Sequence, residues 1–253
     1  MTKFDRLSSL MAHFELGVEP TEADDADLFV YADIASNLPS RVVLCPHKKL
    51  AYQPFTSERL AFKAEVSWGG ESNPLFSALP DVLELDLTQD SETAAIVTLL
   101  KVENDNKRCG SASVLSRLAE ILIIRLMRVQ IEQGKIRKGL FGGLNDKRLG
   151  RAIVAMHDNP SKKWKNEDLA QIAGLSLSRF CELFSNVVQE TPMGYLRRWR
   201  LILARQDIVK GVRVQNVAVK YGYQSGEALS RAFHKQFGET PTNVRKQWLE
   251  LAI

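Results

Sequence analysis

The sequence predicts an α+β chain. A small β unit followed by helices fills its first half, and an all-α second half holds two helix-turn-helix units joined by a long helix. Three observations predict this. Stretches 28–31, 41–45 and 60–68 are short, rich in Val, Phe and Tyr, and separated by Pro39, Pro46 and Pro54, as strands are. From Ser91 onward the apolar residues recur at helical spacing instead. Finally, Phe180 and Leu229, Phe184 and Phe233, and Pro192 and Pro241 each stand 49 positions apart, which is an internal repeat.

In chain order, residues 1–12 predict one short amphipathic helix and the acidic run 19–27 a loop. Alternation is clearest at Phe62, Ala64, Val66 and Trp68, and Gly69-Gly70 ends that strand. Residues 74–80, with Leu75, Phe76 and Leu79, form an apolar connection to a further strand at 82–87. Residues 94–102 predict a helix and 101–110 a polar loop. A second helix runs from Val114 to Gln133, with Leu115, Leu118, Leu122, Leu126 and Val129 on one face. Ile121, Ile124 and Met127 widen that face beyond what one small domain covers, so pairing of two chains is expected there; packing on its own β unit alone is the alternative.

The stretch GKIRKGLFGG at 134–143 reads as a linker, which gives an organisation of 1–133, a linker at 134–145, and 146–253. Asp146 caps a helix carrying Leu149, Ile153, Val154 and Met156, which ends before Pro160. In the first repeat, Leu169, Ala170 and Ile172 precede Gly174; Ser176 is the candidate cap of a second helix whose apolar stripe is Phe180, Leu183, Phe184 and Val187. Glu190-Thr191-Pro192 closes it. Residues 193–209 then form a long helix, with Leu196, Trp199, Leu203 and Ile208 facing both units and Arg197, Arg198, Arg200 and Arg205 on its flanks. In the second repeat, Val217 and Ala218 precede Gly222, and Ser225 caps a helix with the stripe Leu229, Ala232, Phe233 and Phe237. That stripe turns Gly226, Glu227, Ser230, Arg231, His234 and Lys235 outward. Glu239-Thr240-Pro241 closes this copy. Gly174 and Gly222 are only 48 apart, so one residue has been added in the second turn.

Charge is distributed unevenly. Residues 1–145 hold 16 Lys and Arg against 20 Asp and Glu, whereas 146–253 hold 18 against 10, so the repeat-bearing half is the one that attracts a polyanion. Residues 1–16 carry Lys3, Asp5, Arg6 and Glu15, and the most apolar run, Ile121 to Ile124, is four residues long; neither a secretory signal nor a membrane span is read, and a cytoplasmic location is expected. His13, His47, His157 and His234 are scattered, with no nucleophile motif, paired carboxylates or phosphate loop, so no catalytic residue, cofactor or metal is expected. Cys45-Pro46-His47 offers too few ligands for a metal, and Cys45 and Cys109 are 64 positions apart with nothing to join them.

The carboxy-terminal motifs resemble those of the AraC/XylS family of transcription regulators. The resemblance rests on LGRAIVAMH at 149–157, Trp164 followed by EDLAQIAGLSLSRFCELF at 167–184, ETPMGYLRRWRLILAR at 190–205 and GYQSGEALSRAFHKQFGETP at 222–241. Upstream, ESNPLFSALPDVLEL at 71–85 and VLSRLAEILIIRLMR at 114–128 are similar to members with a cupin-like amino-terminal domain, although the segment before Ser77 is short for a complete cupin barrel.

The resemblance implies a sequence-specific regulator that lays one helix of each unit into adjacent major grooves of double-stranded DNA. A 17-residue helix at about 1.5 Å per residue spans roughly 25 Å, enough to hold two small units about 34 Å apart, groove to groove. It places Ser176, Leu177, Ser178, Arg179 and Glu182 of the first unit, Ser225, Gly226, Glu227, Ser230, Arg231 and Lys235 of the second, and Arg197 and Arg200 of the joining helix at the DNA. It also implies a homodimer through 114–133, a small-molecule effector for the amino-terminal domain, and RNA polymerase as a partner.

Family members often carry basic residues where Leu177 and Leu183 stand, and a capping Thr where Lys165 stands. The second unit is therefore expected to read bases and the first to contact phosphate. A non-specific nucleic-acid-binding or architectural protein is the alternative.

Overall fold

The strands expected in the first half form β2 (Leu28–Asp33), β3 (Pro39–Leu44), β4 (Glu58–Trp68) and β5 (Leu83–Asp86), joined by β1 (Leu16–Pro20). These are seen in a computed structural model that describes residues 5, 7–11, 13–14, 16–22, 25–47, 55–68, 73, 78–133 and 138–251. All pairings are antiparallel, in the order β1-β4-β2-β3-β5. The sequence reading missed β1 because Glu19 and Pro20 look like loop. Pairing decides otherwise: Val18 lies opposite Val66 and is buried, and an edge strand tolerates a terminal proline. Gly69-Gly70, Leu75 and Phe76 lie outside the described residues.

By contacts the chain divides into two units, 14–135 and 1–13 with 136–253. In the first of these, Leu28, Val30, Val42, Leu44, Phe62, Ala64, Leu83 and Leu85 are buried, and the registers set Val30 between Val42 and Phe62, and Leu44 between Leu28 and Leu83. Helices α2 (Ser91–Asn106) and α3 (Ser111–Gln133) pack on this sheet and on each other. A second apolar cluster, Tyr31, Val43 and Cys45 with Phe29 and Val82, has the opposite parity, so both sheet faces bury apolar surface. Two bulges interrupt the registers: Ala61 is extra on β4 beside Val30 and Tyr31, and Ser40 is extra on β3 beside Tyr31 and Ala32. The first flips the strand's parity, which is why Leu60 is exposed although it continues the alternation of Phe62 to Trp68.

Helix α2 is longer than its apolar spacing suggests. Asp90 caps it by accepting from Thr93 N (2.9 Å), and it ends at Lys107 in the left-handed region, so the loop expected at 101–110 shrinks to 107–110. Glu103 is buried because Ser111 Oγ donates to its carboxylate (2.6 Å). On α3, Leu115, Leu122, Leu126 and Met127 are buried within this unit, which uses much of the wide apolar face; Val114 and Ile121 stay exposed and Leu118 half-buried.

The second unit is helical. Of the helix expected at 1–12, α1 (Ser8–Met11) is the part within the described residues, and Asp5 Oδ1 caps it by accepting from Leu7 N and Ser8 N. Within the stretch read as a linker at 134–145, residues 139–145 form α4 (Gly139–Asn145), whose Leu140, Phe141 and Leu144 are buried. Glycine here serves close packing, not flexibility, because a Cβ on Gly143 would sit 2.7 Å from Ile153 Cδ1 and 2.8 Å from Val188 Cγ2. Then follow α5 (Lys147–Asp158), α6 (Asn166–Ala173), α7 (Leu177–Val188), α8 (Pro192–Val209), α9 (Val214–Lys220), α10 (Gly226–Phe237) and α11 (Pro241–Leu251).

Candidate nucleic-acid interface

The first helix-turn-helix is α6 and α7. Helix α6 ends at Gly174 with φ +70, a conformation that costs glycine nothing, and α7 begins at Ser176, whose Oγ accepts from Arg179 N (3.4 Å). Lys165 supplies no capping side chain to α6. Asp168 instead reaches back and accepts from Lys165 N (3.0 Å), which satisfies one otherwise orphaned donor. Phe180, Phe184 and Val188 bury the inner face of α7, so Ser176, Leu177, Ser178, Arg179 and Glu182 are exposed together. Within that group Arg179 donates to Glu182 Oε2 (2.9 Å). Both side chains are more than half exposed, so the pair adds little stability, but it engages the cation that faces outward.

The second unit, α9 and α10, is built alike. Gly222 takes φ +75 in the turn, and Ser225 Oγ accepts from Ala228 N (3.2 Å). Leu229 and Phe233 are buried, and Glu227, Arg231 and Lys235 form an exposed stripe at spacing i, i+4, i+8. Arg231 makes no ion pair among the described residues; Glu227, one turn earlier, is held below the usual carboxylate range first by Ser225 and least by Arg231. Two of the residues expected at the DNA are partly spent inside the motif. Gly226 N donates to Gln215 Oε1 (3.0 Å), clipping α10 to α9, and the half-buried Ser230 donates its hydroxyl to Gly226 O (2.8 Å).

Helix α8 joins the units. Thr191 Oγ1 accepts from Gly194 N (3.2 Å) and Pro192 opens the helix, where its missing N–H costs nothing. Arg198 pairs with Glu190, and Arg205 with Glu239 (3.3 Å), so the closing Glu-Thr-Pro of each repeat is fastened to the same helix. Arg200 donates to Pro160 O (2.6 Å) and Lys162 O (2.8 Å), and burial lowers its pKa. Its guanidinium therefore ties the 160–162 turn to α8, whereas Arg197 is exposed. The signal for the two clamps was present in the sequence, as a glutamate at the same place in both repeats.

Beneath α7 and α8 lies a buried polar centre that periodicity did not reveal. His157 is fully buried, stacks on Trp199 with ring centroids 3.9 Å apart, and shares a hydrogen bond between its Nε2 and the Tyr195 hydroxyl (2.5 Å). Burial, reinforced by His13 and Arg198, pulls the imidazole pKa well below its ordinary value, so the ring is neutral. His13 in turn donates to the His157 carbonyl (3.2 Å).

Among the described residues no group of His, Cys, Asp or Glu has the arrangement to hold a metal, and no helix is long and apolar enough to cross a membrane. Cys45 is buried and Cys109 exposed; burial, with Asp27 nearby, raises the Cys45 thiol, which makes it a poor nucleophile.

Comparison with known proteins gives two family matches, a helix-turn-helix domain at 169–247 and a cupin at 38–132. The HTH-type transcriptional regulator AlkR of Acinetobacter baylyi is 32% identical over 180 residues, covering 69% of this chain and 59% of that protein. A Streptomyces lividans protein described as an AraC-like transcription regulator is 30% identical over 176 residues, covering 68% and 58%. The chain thus spans less than two thirds of the length of these curated relatives. Among solved structures, a regulator with an AraC-type DNA-binding domain from Chromobacterium violaceum aligns with 40% of this chain and 91% of its own, at 25% identity and a TM-score of 0.39.

Proposed function

The chain belongs to the AraC/XylS family, with a helix-turn-helix domain behind a cupin domain, and from that premise we propose that it is a sequence-specific regulator of transcription acting on double-stranded DNA in the cytoplasm. The observation that carries this reading is the duplicated unit: two capped helices, α7 and α10, each with a buried aromatic stripe and an exposed polar face, both fastened to α8. At 18 residues α8 is about 27 Å long, which suits neighbouring grooves about 34 Å apart. Arg231 and Lys235 read or touch DNA from the second unit, and Arg231 suits guanine O6 and N7. Ser178, Arg179 and Arg197 contact phosphate, and Arg200 holds the frame.

The amino-terminal unit receives the signal, binding a small effector, and pairs two copies of the chain. Exposed Val114 and Ile121 on α3 and Leu99 and Val102 on α2 support the pairing. Contact with RNA polymerase follows from the regulator role.

Selection of bound sequences from random DNA, followed by competition, tests the reading. A regulator prefers its selected site over random DNA by at least about 10³ at physiological salt. Equal binding to both overturns it and leaves the architectural alternative.

A further inference from the structure

The start of α10 is held by an amide from the helix before it. Gly226 N donates to Gln215 Oε1 (3.0 Å), and a Cβ on Gly226 would lie 2.9 Å from that oxygen, so the missing side chain seats the amide closely. The oxygen of an amide accepts and its nitrogen only donates, so the Gly226 N–H settles which end faces it. Nε2 therefore stands on the other side of the terminal carbon. Gln215 is exposed, and among the described residues no acceptor takes a hydrogen bond from its Nε2.

The place of this amide gives its donors a use. Gln215 lies in the first turn of α9 and Gly226 opens α10, so the two helix starts meet at this side chain. In a helix-turn-helix whose second helix enters the major groove, the first helix crosses the DNA backbone. Donors along that path meet phosphate oxygens, which position a protein on the duplex without reading sequence. Arg213, exposed at the residue before α9, adds positive charge two positions away in the chain.

The first unit is built differently here. Glu167, exposed in the first turn of α6, stands 48 positions before Gln215, and Leu177 stands 49 before Gly226. A carboxylate offers acceptors only, so at that place it repels a phosphate where an amide binds one.

We propose that Gln215 anchors the second unit to the DNA backbone: Oε1 fixes the start of α10, and Nε2 donates to a phosphate oxygen of the strand that α9 crosses. One side chain thus couples the position of the reading helix to a phosphate. This role rests on the DNA-binding reading above and adds a contact outside the helix that reads bases.

Binding of the full chain to its selected duplex and to random duplex, with thermal melting alongside, tests this. Gln215→Glu keeps an oxygen for Gly226 N and replaces the outward donors with negative charge. It is expected to melt no earlier than the parent chain and to bind both duplexes at least about tenfold more weakly, as the loss of a hydrogen bond to a charged group does. Asn216→Asp adds the same charge at the next exposed residue and is expected to cost at most about threefold, since a charge that removes no contact is largely screened. Should Gln215→Glu melt early, Gln215→Met and Gln215→Lys decide: both lose the clip to Gly226, and only lysine restores a donor. Lysine is expected to bind at least about tenfold more tightly than methionine and to steepen the slope of log K against log salt by about one phosphate contact. Unaltered binding by Gln215→Glu, equal losses from Gln215→Glu and Asn216→Asp, equal binding by the methionine and lysine variants, or a loss confined to one base pair of the selected site overturns the anchor. If the parent chain shows no preference for its selected duplex, the regulator reading fails instead, and the anchor is still decided on random duplex.

Discussion

In α7 the outward cation Arg179 is bonded to Glu182, whereas the position 49 residues beyond Glu182 is Arg231 on α10, which stands exposed without an ion pair among the described residues. Behind these faces the contrast reverses. The first unit is backed by α4, whose Gly143 lets Ile153 and Val188 close in, and by the His157, Tyr195 and Trp199 centre, to which Phe184 adds an edge contact with Tyr195. The second unit has a smaller aromatic core, Phe233 against Phe237, and a clip from Gln215 to Gly226. The two copies thus share the backbone of the motif but differ in setting: the first is the more firmly packed, and the second carries the freer outward cation, which is the one proposed to read bases.

The largest expected effect strikes the more firmly packed unit. Gly143→Val forces a branched side chain into space where even a Cβ lies under 3 Å from two neighbours, at a cost of about 3 kcal/mol of stability. Gly226→Ala in the second unit comes within 3 Å only of Gln215 Oε1, the end of the side chain that accepts from Gly226 N, with Val214 and Gln215 Cα at ordinary contact distance, and is expected to cost under about 1 kcal/mol. Denaturant unfolding of both variants checks the pair, and equal losses erase the distinction between a tight and a loose unit.

Next in size is the loss of base reading. Arg231→Ala is expected to reduce discrimination at one base pair by about 2 kcal/mol and relax specificity there, whereas Arg179→Ala weakens binding by a few-fold on all sequences alike. Repeating the random-DNA selection with each variant decides. Greater relaxation by Arg179→Ala exchanges the roles assigned to the two units.

A pH titration addresses the buried centre. The folded chain keeps His157 neutral, while in the unfolded chain the imidazole takes up a proton below about pH 6.5. Its contribution to stability is therefore complete above that pH and is lost as the pH falls, by at most about 1.4 kcal/mol per unit. Unfolding midpoints at pH 7.5 and 5.5 are expected to show this fall, and His157→Gln to show less of it. An identical pH dependence in the variant removes the centre from the account.

How far these differences could be read from the sequence depends on which periods carry them. The repeat was legible because Phe180, Phe184, Leu229 and Phe233 recur at the helical period with the same offset, and both Ser176 and Ser225 cap as expected. The role of Gly143 was not, because glycine in a loop and glycine at a close helix crossing look the same along the chain. The partners of Arg200 were hidden in the same way: the sequence places it on a flank, where it is expected at the DNA, but says nothing of the carbonyls of Pro160 and Lys162 that take its hydrogen bonds. In the amino-terminal unit, alternation located β4 but not the extra residue at Ala61, so the exposure of Leu60 became visible only through pairing. Short-range patterns fix elements, and long-range partners decide what each polar side chain is spent on.

The smallest effect is the sharpest test of the comparison itself. If Arg179 is withheld from DNA only by Glu182, then Glu182→Gln removes a negative charge from the exposed face and releases the guanidinium without touching the core. Affinity for any duplex is expected to rise by a few-fold, under about 1 kcal/mol, and the slope of log K against log salt to steepen by about one phosphate contact. Specificity is expected to fall slightly, since the gain is the same on every sequence. If the slope is unmoved, Arg179 does not reach phosphate even when free, and α7 serves the second unit by holding α8 in place.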